Sequence, residues 1–238
     1  MEALLVYAHP EPQSFNAAMR DIAIETLQAQ GHKVEVSDLY AMNFDPVAGR
    51  DDFTESLNPQ VLNLSLEQRH AAAHGTLNAV IAQQLDALQR ADLLVLQFPL
   101  WWFGMPAILK GWIDRVFLSG VVYGRSAQFE RGKLRGKRAL VCVTTGAPEA
   151  SFQTDGINGD MNTLLMPLLR GVLGFTGMTV LPPFIGFGVP YIGPEQRTQM
   201  LQAYAHYLQH LDQLTPLPMP KLADHLDIPT GNDRPRAH

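Results

Sequence analysis

The sequence predicts an α/β fold in which five parallel strands, in the order 2-1-3-4-5, form one doubly wound sheet with helices on both faces. First, short apolar runs, typical of strands buried on both faces, alternate with amphipathic helical segments. Second, the 238 residues are 46% hydrophobic and 17% charged, which is enough for one sizeable core. Third, aromatic and hydroxyl-bearing loops follow the first, third and fourth runs, where sheets of this kind bind ligands.

The strands are predicted from the apolar runs. In chain order they cover 4–8, 33–38, 92–98, 138–145 and 179–187. The last run contains Pro182 and Pro183, which have no N–H group to donate to a neighbouring strand. We therefore expect that strand at an edge of the sheet.

The helices are predicted from apolar residues that recur with a helical period. They start near Phe15, Leu77, Pro106, Met161 and Pro194. In the first helix the expected buried stripe is Phe15, Ala18, Met19, Ile22 and Ala23. Gly31 ends that helix, Pro106 suits a first helical turn, and Pro167 is expected to bend the helix over 161–175.

Two segments depart from this alternation. Residues 41–75 show no sustained period, so we predict an excursion there, with a short helix over 66–73. After Leu214 the chain is rich in proline. The predicted organisation is one domain over 1–214 followed by a Pro-rich tail over 215–238 that wraps a surface.

Composition excludes several classes of protein. No run of eighteen apolar residues occurs, and the start MEALLVYAHP lacks a basic segment, so neither a transmembrane helix nor a signal peptide is expected. The net charge of -5, with acids and bases interspersed, argues against nucleic acid as a partner. The single cysteine, Cys142, rules out an internal disulfide, fits a cytoplasmic location, and is expected to be a buried packing residue.

The loop after the first strand, His9 to Asn16, leads directly into a helix. The free N–H groups and the dipole of a helix start favour an anion such as phosphate. Ser14 and Asn16 could donate to that phosphate, and His9 could add a donor or a charge. The alternative is that Ser14 only caps the helix.

The loops after the third and fourth strands complete the predicted site. The third strand is followed by Pro99, Leu100, Trp101, Trp102 and Phe103, whose adjacent aromatic side chains cannot all face one core. They suit either a platform for a flat ring or a packed dimer surface. The fourth strand leads into Thr144, Thr145, Gly146 and Ala147, which expose N–H and hydroxyl groups.

Three further patterns in the sequence argue against a metal site, a dinucleotide-binding fingerprint and a serine hydrolase. The pairs His70/His74 and His206/His210 have spacing that could hold a metal, and carboxylates elsewhere could complete a site, but neither pair has a nearby cysteine or an HExxH context, so no metal site is predicted. The spaced glycines Gly171, Gly174 and Gly177 end a helix rather than start one, so they form no dinucleotide fingerprint. The GxSxG motif of serine hydrolases is absent from the sequence.

The chain resembles the NAD(P)H:quinone oxidoreductases, the DT-diaphorase group of flavodoxin-like enzymes. The resemblance covers most of residues 1–212, and the matching stretches are AHPEPQSFN (8–16), ADLLVLQFPLWWFGMPAILKGWIDRVF (91–117), VTTGA (143–147) and GINGDMN (156–162). It implies a homodimer that holds FAD, in preference to FMN, at the subunit interface. NAD(P)H and a quinone would then use one pocket in turn, in a ping-pong mechanism.

The resemblance also implies roles for single residues. The cofactor would be held by His9, Phe15, Asn16, Pro99, Leu100, Trp101, Trp102, Phe103 and Thr144 to Ala147, with Arg197 at the adenine end. Asn63 falls where the family has a glutamine that contacts the flavin. Val122, Tyr123 and Gly124 match a segment that covers the substrate pocket from the partner subunit.

Four further positions depart from the family pattern. Phe152 and Asn158 stand where the best-known members have a catalytic Tyr and His, and neither can take a proton in the same way. Arg125 replaces another pocket tyrosine and could attract an acidic acceptor or a phosphate, or be an ordinary solvated arginine. Trp101 replaces a smaller polar residue and is expected to narrow the pocket and change the range of acceptors.

Three functions remain open at the level of sequence. The first is an NAD(P)H-dependent quinone reductase with bound flavin. The second is an ancillary subunit of a potassium-efflux system that senses nucleotide or flavin state, a reading favoured by the departures at Phe152 and Asn158. The third is a reductase of azo or nitro compounds on the same fold.

Overall fold

The computed structural model describes residues 1–225 and confirms the predicted parallel sheet. Its strands are β1 (Glu2–Tyr7), β2 (Lys33–Asp38), β3 (Leu93–Pro99), β4 (Arg138–Thr144), β5 (Thr179–Val180) and β6 (Phe184–Gly186). The order is β2-β1-β3-β4-β5, with β6 also pairing with β4, and every pairing is parallel. The sequence prediction was accurate to within two residues for the first four strands.

Helices cover both faces of the sheet. They are α1 (Phe15–Ala29), α2 (Leu64–His74), α3 (Ala79–Arg90), α4 (Ala107–Val116), α5 (Met161–Leu168) and α6 (Pro194–Gln209). One core lies between the sheet and α1 with α6, and the larger one lies between the sheet and α3, α4 and α5. Within the described residues, no helix is long and apolar enough to cross a membrane.

Capping residues set where several helices begin and end. The side chain of Ser14 accepts from Ala17 N–H at the start of α1, and Gly31, with a φ of 80°, turns the chain after it. Asn78 caps α3, which therefore begins two residues later than predicted. The buried stripe of α1 is also rotated: Ala17 and Leu27 are buried, whereas Ala18 and Ile22 are only half-buried, because α1 packs against α6 as well as the sheet.

The excursion over 41–75 is anchored on α4. Arg115 is 5% exposed and forms a 2.7 Å ion pair with the buried carboxylate of Asp52, and it also donates to Asp45 O. Gly111 lies so close to Pro46 that a Cβ there would overlap the proline backbone. The predicted short helix is present as α2, which begins two residues earlier and ends one residue later than expected.

The helix predicted over 161–175 is not a single α-helix. It is α-helical as far as Leu168 and then continues as a π-helical turn over Leu169–Gly174. Pro167 has no N–H group and its ring crowds the preceding turn, so it disturbs the regular hydrogen-bond ladder just before the wider turn. This π-helical turn lines a cleft of about 450 Å³.

The single fifth strand predicted over 179–187 is also wrong. Pro182 and Pro183 fall between β5 and β6, and these two short strands pair separately with β4 at the predicted edge. Beyond them the described part of the tail returns to the same edge, where Leu217 N–H donates to Val180 O at 2.8 Å. Leu222 N–H donates to the carboxylate of Glu130, and predicted tail residues 226–238 lie outside the described residues.

Candidate functional site

The loops predicted to bind a ligand meet at the carboxyl ends of the central strands. Because β1 and β3 are neighbours but are followed by helices on opposite faces, a crevice opens between the loops that follow them. The loop after β4 borders the same crevice, since Leu100 N–H donates to Thr144 O at 2.8 Å. The rings of His9 and Trp101 lie 6.2 Å apart and connect the first two loops.

The first loop presents the start of α1. Ser14 serves as the cap, and its hydroxyl also lies 3.3 Å from Tyr7 Oη. The N–H groups of Phe15 and Asn16 stand where no intrahelical carbonyl can accept from them. His9 accepts Glu11 N–H at its Nδ1 atom at 3.0 Å, so a neutral ring carries its proton on Nε2. Burial lowers the pKa of His9 and favours that neutral form.

Asn16 joins the first loop to the end of β4. Its side chain is 3% exposed, and its Nδ2 donates to Thr144 Oγ1 at 2.7 Å. Its Oδ1 is buried without a partner among the described residues. A buried polar atom without a partner is costly, so Oδ1 marks a place where a ligand donor would be stabilised.

The second loop is a tight turn with an unusual backbone. Trp101 and Gly104 exchange two backbone hydrogen bonds of 2.9 and 3.0 Å, which leaves Trp102 and Phe103 at the two central positions. Their φ angles are 49° and 60°, values that suit Asn or Gly rather than bulky aromatic residues. Trp102 is 97% exposed. Strained backbone and exposed aromatic rings together are typical of a binding surface.

The third loop is held by its own hydrogen bonds. Thr145 donates its hydroxyl to Ala147 O at 2.7 Å, while its N–H donates to Gly186 O. A Cβ at Gly146 would meet no atom within 4 Å, so the backbone there is open to a ligand. These contacts hold the open edge of the loop, from Thr144 to Ala147, in one shape.

Phe152 and Asn158 lie beyond this loop and differ in exposure. Phe152 is 5% exposed and packs on Phe187, with ring centres 5.9 Å apart, so it is part of the larger core. Asn158 is half-buried, and its N–H donates to Ser151 O. Ile157 beside it is 92% exposed.

Arg197 supports another loop at the carboxyl side of the sheet. It lies in the first turns of α6 and donates to Ile192 O at 3.2 Å and to Val189 O at 3.1 Å. The loop over 188–193 follows β6, whose end lies beside Thr144. Arg197 therefore shapes the loop nearest to the third binding loop, and its guanidinium remains exposed.

The predicted pocket-covering segment lies elsewhere. Val122 is buried, and the Tyr123 ring packs on Phe175 with centres 5.9 Å apart. Tyr123 lines a cleft of about 450 Å³ together with the carboxyl end of α4 and the π-helical turn; the other lining residues are Ala48, Leu64, Ser65, Gln68, Ile113, Asp114, Phe117, Gly171, Val172, Phe175 and Thr176.

This cleft is separate from the three loops within one chain. The end of α4 leads to β4 and the π-helical turn leads to β5, so the cleft lies toward the amino ends of the strands. None of its lining residues belongs to the three loops. Asn63 caps α2 next to Leu64 and so falls on the same side as Tyr123. Gly124 and Arg125 follow Tyr123 in a turn closed by hydrogen bonds between Gly124 and Ala127.

The structure also shows where the two histidine pairs and the cysteine lie. The ring centres lie 4.1 Å apart in the first histidine pair and 4.2 Å apart in the second, near the carboxyl ends of α2 and α6, and in each pair one residue is exposed and the other half-buried. Over residues 1–225, no three His, Cys, Asp or Glu side chains group as metal ligands. Cys142 is buried as expected, and burial raises the pKa of its thiol to about 12.

Sequence reasoning missed two buried polar residues beneath the site, Gln97 and Tyr204. Gln97 interrupts the apolar run of β3, and its Nε2 donates to Asn16 O. Tyr204 donates to Gln97 Oε1 at 3.4 Å from α6. A polar residue within a strand buried on both faces was the available signal for Gln97, but nothing in the sequence pointed to Tyr204 as its partner.

The arrangement fits a flavin. Its planar ring system would lie on the exposed turn from Trp101 to Gly104, which we call the aromatic turn. The polar edge of the ring would face the N–H groups and hydroxyls of 144–147, and the phosphates would reach the start of α1. The unpartnered Oδ1 atom of Asn16 supports this fit, because it can accept from a hydroxyl or N–H group between the ring and the phosphates.

Comparisons with known proteins agree with the observed fold. The family model described as a flavodoxin-like fold matches residues 1–211. NAD(P)H dehydrogenase (quinone) 1 of Cavia porcellus is 42% identical over 216 residues, which span 90% of this chain and 78% of that protein. Ribosyldihydronicotinamide dehydrogenase (quinone) of Homo sapiens is 41% identical over 218 residues, 91% of this chain and 94% of that protein. A Klebsiella pneumoniae protein crystallised as a candidate quinone reductase superposes with a TM-score of 0.87 at 38% identity, covering 92% of this chain and 87% of its own.

Proposed function

Because the chain belongs to the flavodoxin-fold family of NAD(P)H:quinone oxidoreductases, we propose that it reduces a quinone with two electrons taken from NAD(P)H as hydride. The observation that carries the proposal is the aromatic turn at the carboxyl edge. Trp102 and Phe103 are held exposed at positive φ angles beside the start of α1 and the unpartnered amide oxygen of Asn16. That combination serves a flat, phosphate-bearing redox ligand better than it serves folding alone.

We propose FAD, rather than FMN, as the ligand. A bound flavin would supply the hydride chemistry, while the protein positions it and tunes its charge. The adenine end would lie near Arg197, whose exposed guanidinium borders the loop after β6. The phosphates would lie at the N–H groups of Phe15 and Asn16, with the Nε2–H of His9 as a further donor.

The chain's own groups have distinct tasks in this proposal. The N–H groups of 144–147 would stabilise negative charge at the polar edge of the ring, and Thr145 keeps that loop in shape. The aromatic turn would exclude water from one face of the ring. Neither Phe152 nor Asn158 can hold a proton as the family's Tyr and His do, so turnover is expected to be slower than in members with that pair.

Donor and acceptor are proposed to occupy one pocket in turn. The names of two relatives indicate different donors, a nicotinamide nucleotide for one and ribosyldihydronicotinamide for the other. NADH, NADPH and dihydronicotinamide riboside therefore need to be compared side by side. Parallel lines in double-reciprocal plots against quinone concentration would support the alternating mechanism.

A homodimer is proposed to complete the pocket. Tyr123 and Asn63 lie on the amino side of the sheet, away from the same chain's aromatic turn. If both contribute to the pocket, as the family resemblance implies, they must do so for a second copy. Val122, Gly124 and Arg125 would contribute to the partner's pocket together with Tyr123. The proposed location of the protein is the cytoplasm.

The decisive experiment uses purified protein stripped of bound small molecules and reconstituted separately with FAD and with FMN. Yellow protein whose visible absorbance bleaches rapidly on anaerobic addition of NAD(P)H, and recovers rapidly on addition of a quinone, supports the proposal. Protein that takes up neither flavin refutes it. A panel that includes azo and nitro compounds as well as quinones distinguishes the third function from the first.

The second candidate, a regulatory subunit of a potassium-efflux system, is favoured by one observation. Phe152 has no hydroxyl group, and its ring is buried in the larger core. Flavin that binds tightly but turns over negligibly, in a protein that co-purifies with a membrane transporter, would support this candidate over the enzyme.

A further inference from the structure

A line of buried polar side chains crosses the otherwise apolar core between the sheet and α1 with α6. It begins at Cys142 in β4, passes through Tyr204 in α6 and Gln97 in β3, and ends at Asn16 and Thr144 beside the candidate site. Gln97 and Tyr204 are both 0% exposed. The remaining members of this core are almost all aliphatic or aromatic.

Hydrogen-bond directions along this line are consistent. Tyr204 has one proton and donates it to Gln97 Oε1, so the contact of 3.1 Å with Cys142 is donated by the thiol. Gln97 Nε2 then donates to the backbone carbonyl of Asn16, and the side-chain Nδ2 of the same residue separately donates to Thr144 Oγ1. Thr144 Oγ1 accepts in this bond, and a hydroxyl that accepts can also donate its own proton to a ligand.

We propose that Gln97, supported by Tyr204, is a positioning residue of the flavin site. Its amide holds the first turn of α1 against the end of β4, and so sets the separation between the donors for the phosphates and the donors for the ring edge. This inference rests on the proposed function, because it concerns how that same site is kept in shape.

A purely structural role explains the burial of Gln97 poorly. The paired replacements Gln97→Met and Tyr204→Phe would fill the same volume in this core without burying an amide, and replacing both partners of a buried hydrogen bond by apolar groups can be nearly neutral. The amide does not bond to a neighbouring core residue of its own strand. It reaches the backbone carbonyl of Asn16, and the side chain of that residue has an unpartnered oxygen at the site.

The test compares flavin affinity with the stability of the flavin-free protein. In Gln97→Met the volume is kept and the amide is lost, and we expect flavin to bind about fivefold to tenfold more weakly. The unfolding midpoint of the flavin-free variant should fall, because Tyr204 Oη loses its acceptor, whereas that of the flavin-free double variant Gln97→Met/Tyr204→Phe should change little although its flavin affinity is also reduced. The near-ultraviolet and visible circular dichroism of bound flavin should change as well, since the two halves of the site would be held less firmly.

Two tyrosines of α6 provide a matched pair of variants. Tyr204→Phe removes the hydroxyl that supports Gln97 and should weaken flavin binding in the same direction, though less. Tyr207→Phe removes a hydroxyl that donates to Pro182 O, away from this line, and should leave flavin affinity unchanged. In the double variant Gln97→Met/Tyr204→Phe the two losses should not add, because both residues act through one chain of hydrogen bonds.

The outcomes separate this inference from the proposed function. Flavin affinity of Gln97→Met within twofold of wild type, or equal losses in Tyr204→Phe and Tyr207→Phe, would overturn the positioning role alone. If Gln97→Met does not fold, Tyr204→Phe and Tyr207→Phe still decide between the alternatives. Wild-type protein that binds no flavin would overturn the proposed function and this inference with it.

Discussion

At the scale of single residues, the turn at Trp102 shows a conflict between stability and binding. A φ angle of 49° costs a bulky residue on the order of 1 kcal/mol or more, whereas Asn tolerates it. The indole gains nothing from burial in return, since it is 97% exposed. Its cost to the fold is therefore best explained by a ligand.

Trp102→Asn is expected to raise the unfolding midpoint of the flavin-free protein and to weaken flavin binding. The first effect follows from relief of the backbone strain, and the second from loss of the stacking surface. Trp102→Ala is the matched variant, because it removes the ring but keeps the strained angle, and it should lose affinity without gaining stability. Equal midpoints for the two variants would contradict the strain argument.

His9 is expected to make folding stability depend on pH. Burial lowers the folded-state pKa of this imidazole, so as pH falls the unfolded chain, with a pKa of about 6.5, takes up a proton first. Stability should therefore fall as pH decreases through about 6.5 toward the lower folded pKa. Thermal unfolding of the flavin-free protein measures this.

His9→Asn provides the comparison, because its side-chain oxygen can still accept from Glu11 N–H but does not titrate. The midpoint should fall less with acidification in this variant than in wild type. The pKa of His32 is also lowered by burial, but His32 is present in both proteins and cancels in the difference. Identical slopes in wild type and His9→Asn would exclude the effect.

At the scale of elements, the excursion over 41–75 depends on two contacts with α4. Arg115 reaches a carboxylate that is itself buried, and Gly111 provides the space that Pro46 occupies. Burial raises the pKa of Asp52 against the opposing effect of the Arg115 hydrogen bond. Removing either contact should free the segment rather than unfold the sheet.

Gly111→Ala should lower the free energy of unfolding by about 1–3 kcal/mol, because the new methyl group would overlap the backbone of Pro46. Limited proteolysis should also cut the excursion sooner than in wild type. Gly171→Ala is the control, since a Cβ at Gly171 meets no atom within 4 Å, and it should be nearly neutral. Similar losses in both variants would argue against the proposed contact.

Local patterns in the sequence were sufficient for most elements but not for all. β2 was predicted correctly because Gly31 precedes it, and the end of α3 at Arg90 was predicted correctly because the helical period changes there to a continuous apolar run. The break between β5 and β6 was not. Pro182 and Pro183 indicate missing donors, but they do not indicate which flanking residues still reach β4. The π-helical turn after Pro167 depends in the same way on packing that no local pattern encodes.

The site was predictable where it is local and unpredictable where it depends on distant contacts. The loops at 9–16, 99–103 and 144–147 follow directly from strand ends, and they do meet. Gln97 and Tyr204 lie 107 positions apart, and only the packing of α6 on the sheet brings them together. The placement of Tyr123 on the other side of the sheet likewise follows from the course of the whole chain.

At the scale of the whole molecule, the proposed dimer can be tested by mixing defective subunits. Trp102→Ala damages the aromatic turn, and Tyr123→Ala damages the segment proposed to serve the partner. A hybrid dimer of the two would have one intact site and one doubly damaged site. Random exchange of subunits in an equal mixture makes about half of the dimers hybrids, so the mixture should recover about a quarter of wild-type activity. Activity that never exceeds the average of the two variants would mean that each chain builds its own site.

The prolines between β5 and β6, together with the returning tail, have a consequence for behaviour in concentrated solution. An open sheet margin can recruit strands from other molecules and seed fibrils. Here two successive residues lack N–H groups, and Val180 O is already engaged by Leu217. This margin therefore resists strand-by-strand polymerisation, and shortening the chain before Leu217 would remove one of its two safeguards.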